Sequence, residues 1–365
     1  MWQHGGQFFT HAQQHDLSPT LALETLIDLS ASINPNLPDT RPRINAALWR
    51  HYPVQTDHNL LALLANKFQL ESAHIRLTNG ISSAILALFA HFRPDITVLY
   101  TPIYSEYQRA AQTYSRKVIQ IQRPLACTNQ QACLNDLLSQ PVAKNSWIVW
   151  VNPATPDGSY WTPNALRPLL QHWREQGCWV LMDESFLPFL GFDSHLSLRP
   201  LIADWPNLII LQSLTKYYAC PGLRVGAVFA HPDVLTAWPQ PAWPISSFDS
   251  DILSQALSDS AFDAHTQRWL HSAKADLVAQ LNAHPLINQV LPSAANFVLA
   301  HTRPPAQTLA HALSAQAIFV RPCDSFGLGA HFVRIALHSP PIHRRLIHAL
   351  NQLSPHYQAE NDAVI

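Results

Sequence analysis

Between about residues 80 and 230 of this 365-residue chain, short apolar runs alternate with segments of helical periodicity. That alternation predicts a mostly parallel sheet flanked by helices, an α/β fold. The expected strands are residues 96–100, 147–151, 178–182, 208–211 and 225–230. Between two of them Thr162 can cap a helix with Pro163 at its first position, Leu166, Leu169, Leu170 and Trp173 fall on one face, and Gly177 stops it. After residue 245 the pattern changes to a long helical stretch, 252–281, followed by a smaller α+β region with strands near Phe297, Phe319 and Phe332. The last helix follows Ser339-Pro340-Pro341 and carries Leu346, Ile347, Leu350 and Leu353 on one side as a core stripe, with fraying expected from Ser354. The expected division is an N-terminal arm over 1–40, a large domain over 41–245 and a small C-terminal domain over 246–365.

Composition narrows the function. Charged residues make up 13% of the chain, against about 25% in ordinary soluble proteins, and the net charge is -1. A nucleic-acid surface needs clustered positive charge, and no basic stripe exists. No apolar run reaches the ~20 residues of a spanning helix, and the first ten residues lack a signal pattern, so a soluble, cytoplasmic protein is expected. The five cysteines, Cys127, Cys133, Cys178, Cys220 and Cys323, contain no Cys-x-x-Cys pair, which points to reduced thiols and no zinc knuckle. The 20 histidines are scattered without a His-Glu-x-x-His pattern, so no metal site is expected.

Only five lysines occur: Lys67, Lys117, Lys144, Lys216 and Lys274. Four are expected to be solvent-exposed. Lys216 lies in LQSLTKYYACPGLRVG, directly after an apolar strand, where Ser213, Thr215 and Arg224 can donate to a phosphate and the amine can form an imine with an aldehyde. Asp183, in WVLMDESF, stands where a buried strand meets a loop, at the edge of an α/β sheet where ligands collect. Upstream, Asn79-Gly80-Ile81-Ser82-Ser83 opens an apolar helix whose free amides suit a phosphate. Tyr104 can offer an aromatic face to a planar ring, and the loop Asn152-Pro153-Ala154-Thr155-Pro156-Asp157-Gly158 follows another strand.

Taken in this order, these segments resemble the fold-type I pyridoxal phosphate enzymes, the aspartate aminotransferase superfamily, over almost the whole chain. The Ser-x-x-Lys and Pro-Gly-x-Arg-x-Gly block carries the likeness most strongly. The resemblance implies pyridoxal 5'-phosphate as cofactor, linked to Lys216, with Asp183 on its pyridine nitrogen. Ile81, Ser82, Ser213 and Arg224 would hold its phosphate, and Tyr104 would stack on its ring. Tyr52, in His51-Tyr52-Pro53, would reach the cofactor phosphate of a partner subunit, which implies a homodimer. Arg334, in FVRIAL, would pair with a substrate carboxylate.

Lys216 and Asp183 do not identify the reaction, because the protein selects the bond that breaks by orienting it against the ring. By length and by the SLTK block the chain resembles the branch that contains histidinol-phosphate aminotransferase and L-threonine-O-3-phosphate decarboxylase. His4-Gly5-Gly6 and the segment from Asp28 to Pro35 are similar to the decarboxylases of cobalamin biosynthesis, where the His-Gly pair helps to bind substrate phosphate. Phe186 stands where the aminotransferases usually carry tyrosine, and Arg321 matches an arginine that contacts phosphothreonine. Thr155 replaces an asparagine that touches the ring oxygen and substrate, and Ser32 stands where decarboxylases can carry asparagine. The resemblance therefore implies a small phosphorylated amino acid as substrate, decarboxylated by Lys216 and Asp183 with His4, Gly5, Ser32, Thr155, Arg321 and Arg334 around it. A histidinol-phosphate-type aminotransferase is the alternative. A non-catalytic scaffold would need a DNA-binding appendage or loss of the lysine, and the sequence has neither.

Overall fold

The computed structural model describes residues 5–6, 18, 21, 25–38, 43–125, 127 and 129–362. Its strands are β1 (Ile27–Asp28), β2 (Ile75–Thr78), β3 (Ile96–Thr101), β4 (Lys117–Gln122), β5 (Trp147–Val151), β6 (Trp179–Asp183), β7 (Leu208–Ser213), β8 (Gly226–Phe229), β9 (Ile287–Leu291), β10 (Phe297–Thr302), β11 (Ile318–Phe319), β12 (Arg321–Pro322) and β13 (Phe332–Ala336). The α-helices are α1 (Val54–Phe68), α2 (Gly80–Phe92), α3 (Ser105–Tyr114), α4 (Gln130–Ser139), α5 (Pro163–Glu175), α6 (Pro232–Ala237), α7 (Ser247–Leu257), α8 (Phe262–Asn282), α9 (Ala306–Ser314) and α10 (Pro340–Asp362). Two compact units result, one from residues 36–155 and 159–267, the other from 1–35, 156–158 and 268–365.

The first unit is built on a seven-stranded sheet in the order β2-β8-β7-β6-β5-β3-β4. β4, β3, β5, β6 and β7 run parallel, while β8 is antiparallel to both of its neighbours. Every residue of β5 and β7 is buried, as strands covered on both faces must be, and that is why they stand out as continuous apolar runs. β2 and β4 escaped the sequence pattern because they are the sheet's edges. In β4 the exposed Lys117, Gln120 and Gln122 break up Val118, Ile119 and Ile121. α5 forms as expected: Thr162 accepts the Ala165 N–H, and Leu166, Leu169, Leu170 and Trp173 are buried. Their packing holds the helix through Pro168, whose ring removes one backbone hydrogen bond.

Three expectations are corrected at this point. The helical stretch 252–281 is two helices, α7 and α8, because the Asp259 carboxylate accepts the N–H groups of Ala261 and Phe262 and starts a new helix there. Cys127 and Cys133 are not reduced thiols but a disulfide across six residues at the start of α4, with Cα atoms 6.5 Å apart. Lys67 is not solvated: its Nζ meets Asp263 at 2.5 Å and lies 4.2 Å from the Phe192 ring centroid.

The second unit contains an antiparallel sheet in the order β12-β13-β10-β9 and a parallel pair, β1 with β11. Phe297, Leu299, Val333, Ile335, Leu277, Leu281, Leu346 and Leu350 are all buried in this unit. α10 continues to Asp362 with Pro355 inside it, past the point where fraying was expected. Lys274 is the second corrected lysine. Its amine donates to the Ser293 carbonyl at 2.9 Å, and burial pushes it down to about 8. No helix among the described residues is long and apolar enough to cross a membrane.

His343, on α10, has no exposed surface, and its Nε2 accepts the His338 N–H at 2.7 Å. Burial pushes the imidazole down to about 4, and protonation would remove the acceptor. Since the folded group titrates below the unfolded one, its contribution is complete above about pH 6.5 and is lost as pH falls toward 4. Urea unfolding is expected to lose up to about 3 kcal/mol over that window, and His343→Asn should remove most of the slope. An unchanged slope in the variant would contradict this assignment.

Candidate active site

At the carboxyl ends of the parallel strands, Val151, Asp183 and Leu211 stand side by side in register. Asp183 closes β6 and is buried, at 5% exposure. Its Oδ1 accepts the Ser185 N–H at 2.8 Å, and its Oδ2 accepts the Tyr107 hydroxyl at 2.8 Å. β7 ends at Ser213, whose N–H donates to Ser185 Oγ at 2.9 Å and whose hydroxyl lies 3.3 Å from Thr215 Oγ1. Lys216 follows in the next turn, half-buried, with its Nζ 5.3 Å from the centroid of the Phe186 ring.

A second element converges on this edge. α2 begins at Gly80, and Asn79 before it makes no side-chain cap, so the first-turn N–H groups and the helix dipole are available to an anion. A Cβ at Gly80 would lie 2.7 Å from Arg224 Nη2; the glycine lets the guanidinium approach the helix start. Gly226 brings β8 equally close, since a Cβ there would sit 2.7 Å from Ile81 Cδ1 and 3.0 Å from Ile81 N. Ser82 Oγ is 3.2 Å from the Tyr104 hydroxyl, and burial pushes that phenol up. The structure thus gathers Ile81, Ser82, Tyr104 and Arg224 at one helix start, and Asp183 and Ser213 at neighbouring strand ends with Lys216 beside them. Thr155 is buried after β5. Tyr52 is 71% exposed and stacks on Trp243 at 4.0 Å between ring centroids.

The other unit gathers a second set. Arg321 on β12 and Arg334 on β13 are register partners, which puts both side chains on one face of the sheet. Both are buried. Burial pushes the Arg334 guanidinium down to about 10, with Arg321 adding to the lowering, and burial also lowers Arg321. Arg334 Nη2 donates to the Ser30 carbonyl at 2.9 Å, and Arg321 Nη2 to Ser325 Oγ at 3.0 Å. A Cβ at Gly5 would lie 2.3 Å from that same Ser30 carbonyl, so only glycine permits this approach. Ser32 is buried two residues further on, and His4 lies outside the described residues.

Known proteins resemble the chain over most of its length. The model of the family "Aminotransferase class I and II" matches residues 37–350. The chain belongs to that family. Its cofactor is pyridoxal 5'-phosphate. Threonine-phosphate decarboxylase of Salmonella typhimurium is 27% identical over 359 residues, covering 96% of each chain. Histidinol-phosphate aminotransferase of Symbiobacterium thermophilum is 28% identical over 347 residues, covering 92% of each. The solved structure of histidinol-phosphate aminotransferase from Sinorhizobium meliloti, in complex with pyridoxal-5'-phosphate, has a TM-score of 0.76 at 18% identity and covers 95% of this chain and 94% of its own.

The residues present fit the family's cofactor. An uncapped helix start with an arginine against its glycine suits a phosphate, a buried carboxylate suits a pyridinium nitrogen, and a half-buried lysine suits an aldehyde. Sequence reasoning missed the layer behind them. Tyr107, three residues after Tyr104 and one turn along α3, holds Asp183. Glu184, beside Asp183, is fully buried and pairs with Arg199 at 3.1 Å. The signal for Glu184 was a second acid in a polar trio, Asp183-Glu184-Ser185, between two apolar runs, and an acid there must find a partner if buried. Nothing local marked Tyr107, whose partner is 76 residues away.

Proposed function

We propose that this protein decarboxylates L-threonine O-3-phosphate to (R)-1-amino-2-propanol O-2-phosphate for cobalamin biosynthesis. The observation that carries the reading is the pair of buried guanidinium groups, Arg321 and Arg334, with Gly5 packed on the carbonyl that Arg334 holds. Two adjacent cations match a substrate with a carboxylate at one end and a phosphate at the other. Phe186 supports the same reading, since it offers Lys216 a ring face and no hydroxyl.

When bound, pyridoxal 5'-phosphate supplies an electron sink for the pair released from a bond at the substrate α-carbon. Ile81, Ser82, Ser213 and Arg224 would hold its phosphate, Tyr104 would offer its ring a face and Asp183 would accept from its ring nitrogen. Arg334 pairs with the substrate carboxylate through charge-assisted hydrogen bonds. Arg321, Gly5 and His4 take the phosphate, and Ser32 and Thr155 add hydroxyl donors. Held at both ends, the substrate presents its carboxylate bond to cleavage. Lys216, as its ε-ammonium, would give a proton to the α-carbon in place of the departing carbon dioxide and be left as the neutral amine. In this proposal the working unit is a cytoplasmic homodimer, with the exposed Tyr52 reaching the cofactor phosphate of the partner subunit.

The comparable identity to a histidinol-phosphate aminotransferase favours a second reading, transamination. A substrate panel on the purified protein separates the two. Carbon dioxide is expected from L-threonine O-3-phosphate in step with its consumption and without a keto acid. Conversion of histidinol phosphate with 2-oxoglutarate, and no carbon dioxide from phosphothreonine, would overturn the decarboxylase reading.

A further inference from the structure

We propose that Tyr107 is a positioning residue for the Asp183 carboxylate, fixing the orientation in which it would accept from the cofactor's ring nitrogen. The inference rests on the reading of Asp183 as the ring-nitrogen partner. Tyr107 has no exposed surface and sits in an apolar cluster with Ile103, Ala110, Ala111, Val149 and Leu181. A phenylalanine would fill that space with no polar group to satisfy, whereas a buried hydroxyl costs stability unless it finds a partner. Here the partner is Asp183 Oδ2, 2.8 Å away. Burial and the Asp183 charge push the phenol well above the usual tyrosine range, so it stays protonated and acts as a donor.

The two carboxylate oxygens are held from different elements. Oδ1 is fixed by the Ser185 N–H in the loop after β6, and Oδ2 by Tyr107 on α3. One donor alone would let the carboxylate turn about its Cβ–Cγ bond; two define its plane. Each oxygen keeps a lone pair for a further donor, which leaves room for a ring N–H. Without the phenol, the carboxylate is free to turn out of that plane, and its hydrogen bond to the ring nitrogen weakens as the angle departs from linear.

The test reconstitutes the holoenzyme with pyridoxal 5'-phosphate carrying nitrogen-15 in its ring and compares wild type, Tyr107→Phe and Asp183→Asn. The ring resonance of Tyr107→Phe is expected to move toward the unprotonated pyridine position, and kcat to fall about tenfold or more with KM changed less than threefold. If Tyr107→Phe does not fold, 3-fluorotyrosine at position 107, a stronger donor of nearly the same shape, must move the resonance the opposite way. A resonance at the wild-type position in either folded protein, while Asp183→Asn displaces it, overturns the role of Tyr107. A resonance that Asp183→Asn also leaves in place overturns the reading of Asp183 instead.

Discussion

Lys216→Ala is expected to lower turnover in the proposed decarboxylation of L-threonine O-3-phosphate by about 10²–10⁴-fold, the range for removal of a positioned proton-transfer group. Lys216 is the lysine placed beside the strand ends where Asp183 and Ser213 meet. Lys216→Arg keeps the charge but cannot form an imine, so it should be as poor as the alanine variant. Borohydride reduction provides the independent measurement. It should fix cofactor to the wild-type chain and to neither variant. Fixation at the same site in Lys216→Ala would remove Lys216 from its proposed role.

Arg199→Ala is expected to destabilise the fold by about 3–5 kcal/mol, read from urea unfolding. Glu184 and Arg199 are 1% and 2% exposed. The Glu184 carboxylate also accepts the Ser197 hydroxyl at 2.5 Å and the Leu198 N–H at 2.9 Å, while Arg199 donates to Gln212 Oε1 at 3.0 Å and lies over the Phe68 ring. Desolvation raises the Glu184 carboxyl and lowers the Arg199 guanidinium, so each charge is tolerated because the other is present. Truncating the arginine leaves a buried carboxylate without its counter-ion. The double variant Glu184→Gln with Arg199→Met should recover most of the loss, because replacing both charges removes the desolvation penalty with the attraction. A loss below about 1 kcal/mol for Arg199→Ala would contradict this account. Since Glu184 follows Asp183 and Gln212 precedes Ser213, the pair also ties two strand ends of the candidate site together.

Much of the large unit was legible because its central strands are covered on both faces. β5 and β7 therefore carry apolar runs, Trp147–Val151 and Leu208 to Leu211, bounded on both sides by polar residues. β2 and β4 were not legible, since an edge strand needs fewer apolar residues and interrupts them with polar ones. The break between α7 and α8 depended on one aspartate that could equally have faced solvent within a continuous helix. The lysines divide in the same way. Lys117 and Lys144 are exposed as composition suggested, but Lys67 and Lys274 found Asp263 and the Ser293 carbonyl far along the chain.

By itself the sequence determined the alternation of strand and helix, the block around Lys216 and the carboxylate at the end of β6, because each is written in residues adjacent along the chain. The tertiary structure alone decided what stands behind them: the phenol on Asp183, the ion pair beside it, the glycines that let Arg224 and Ser30 come close, and the register that sets Arg321 opposite Arg334. These contacts join residues tens to hundreds of positions apart. Their identity follows from which side chains the packed core leaves within hydrogen-bonding distance, and local propensity carries no record of that.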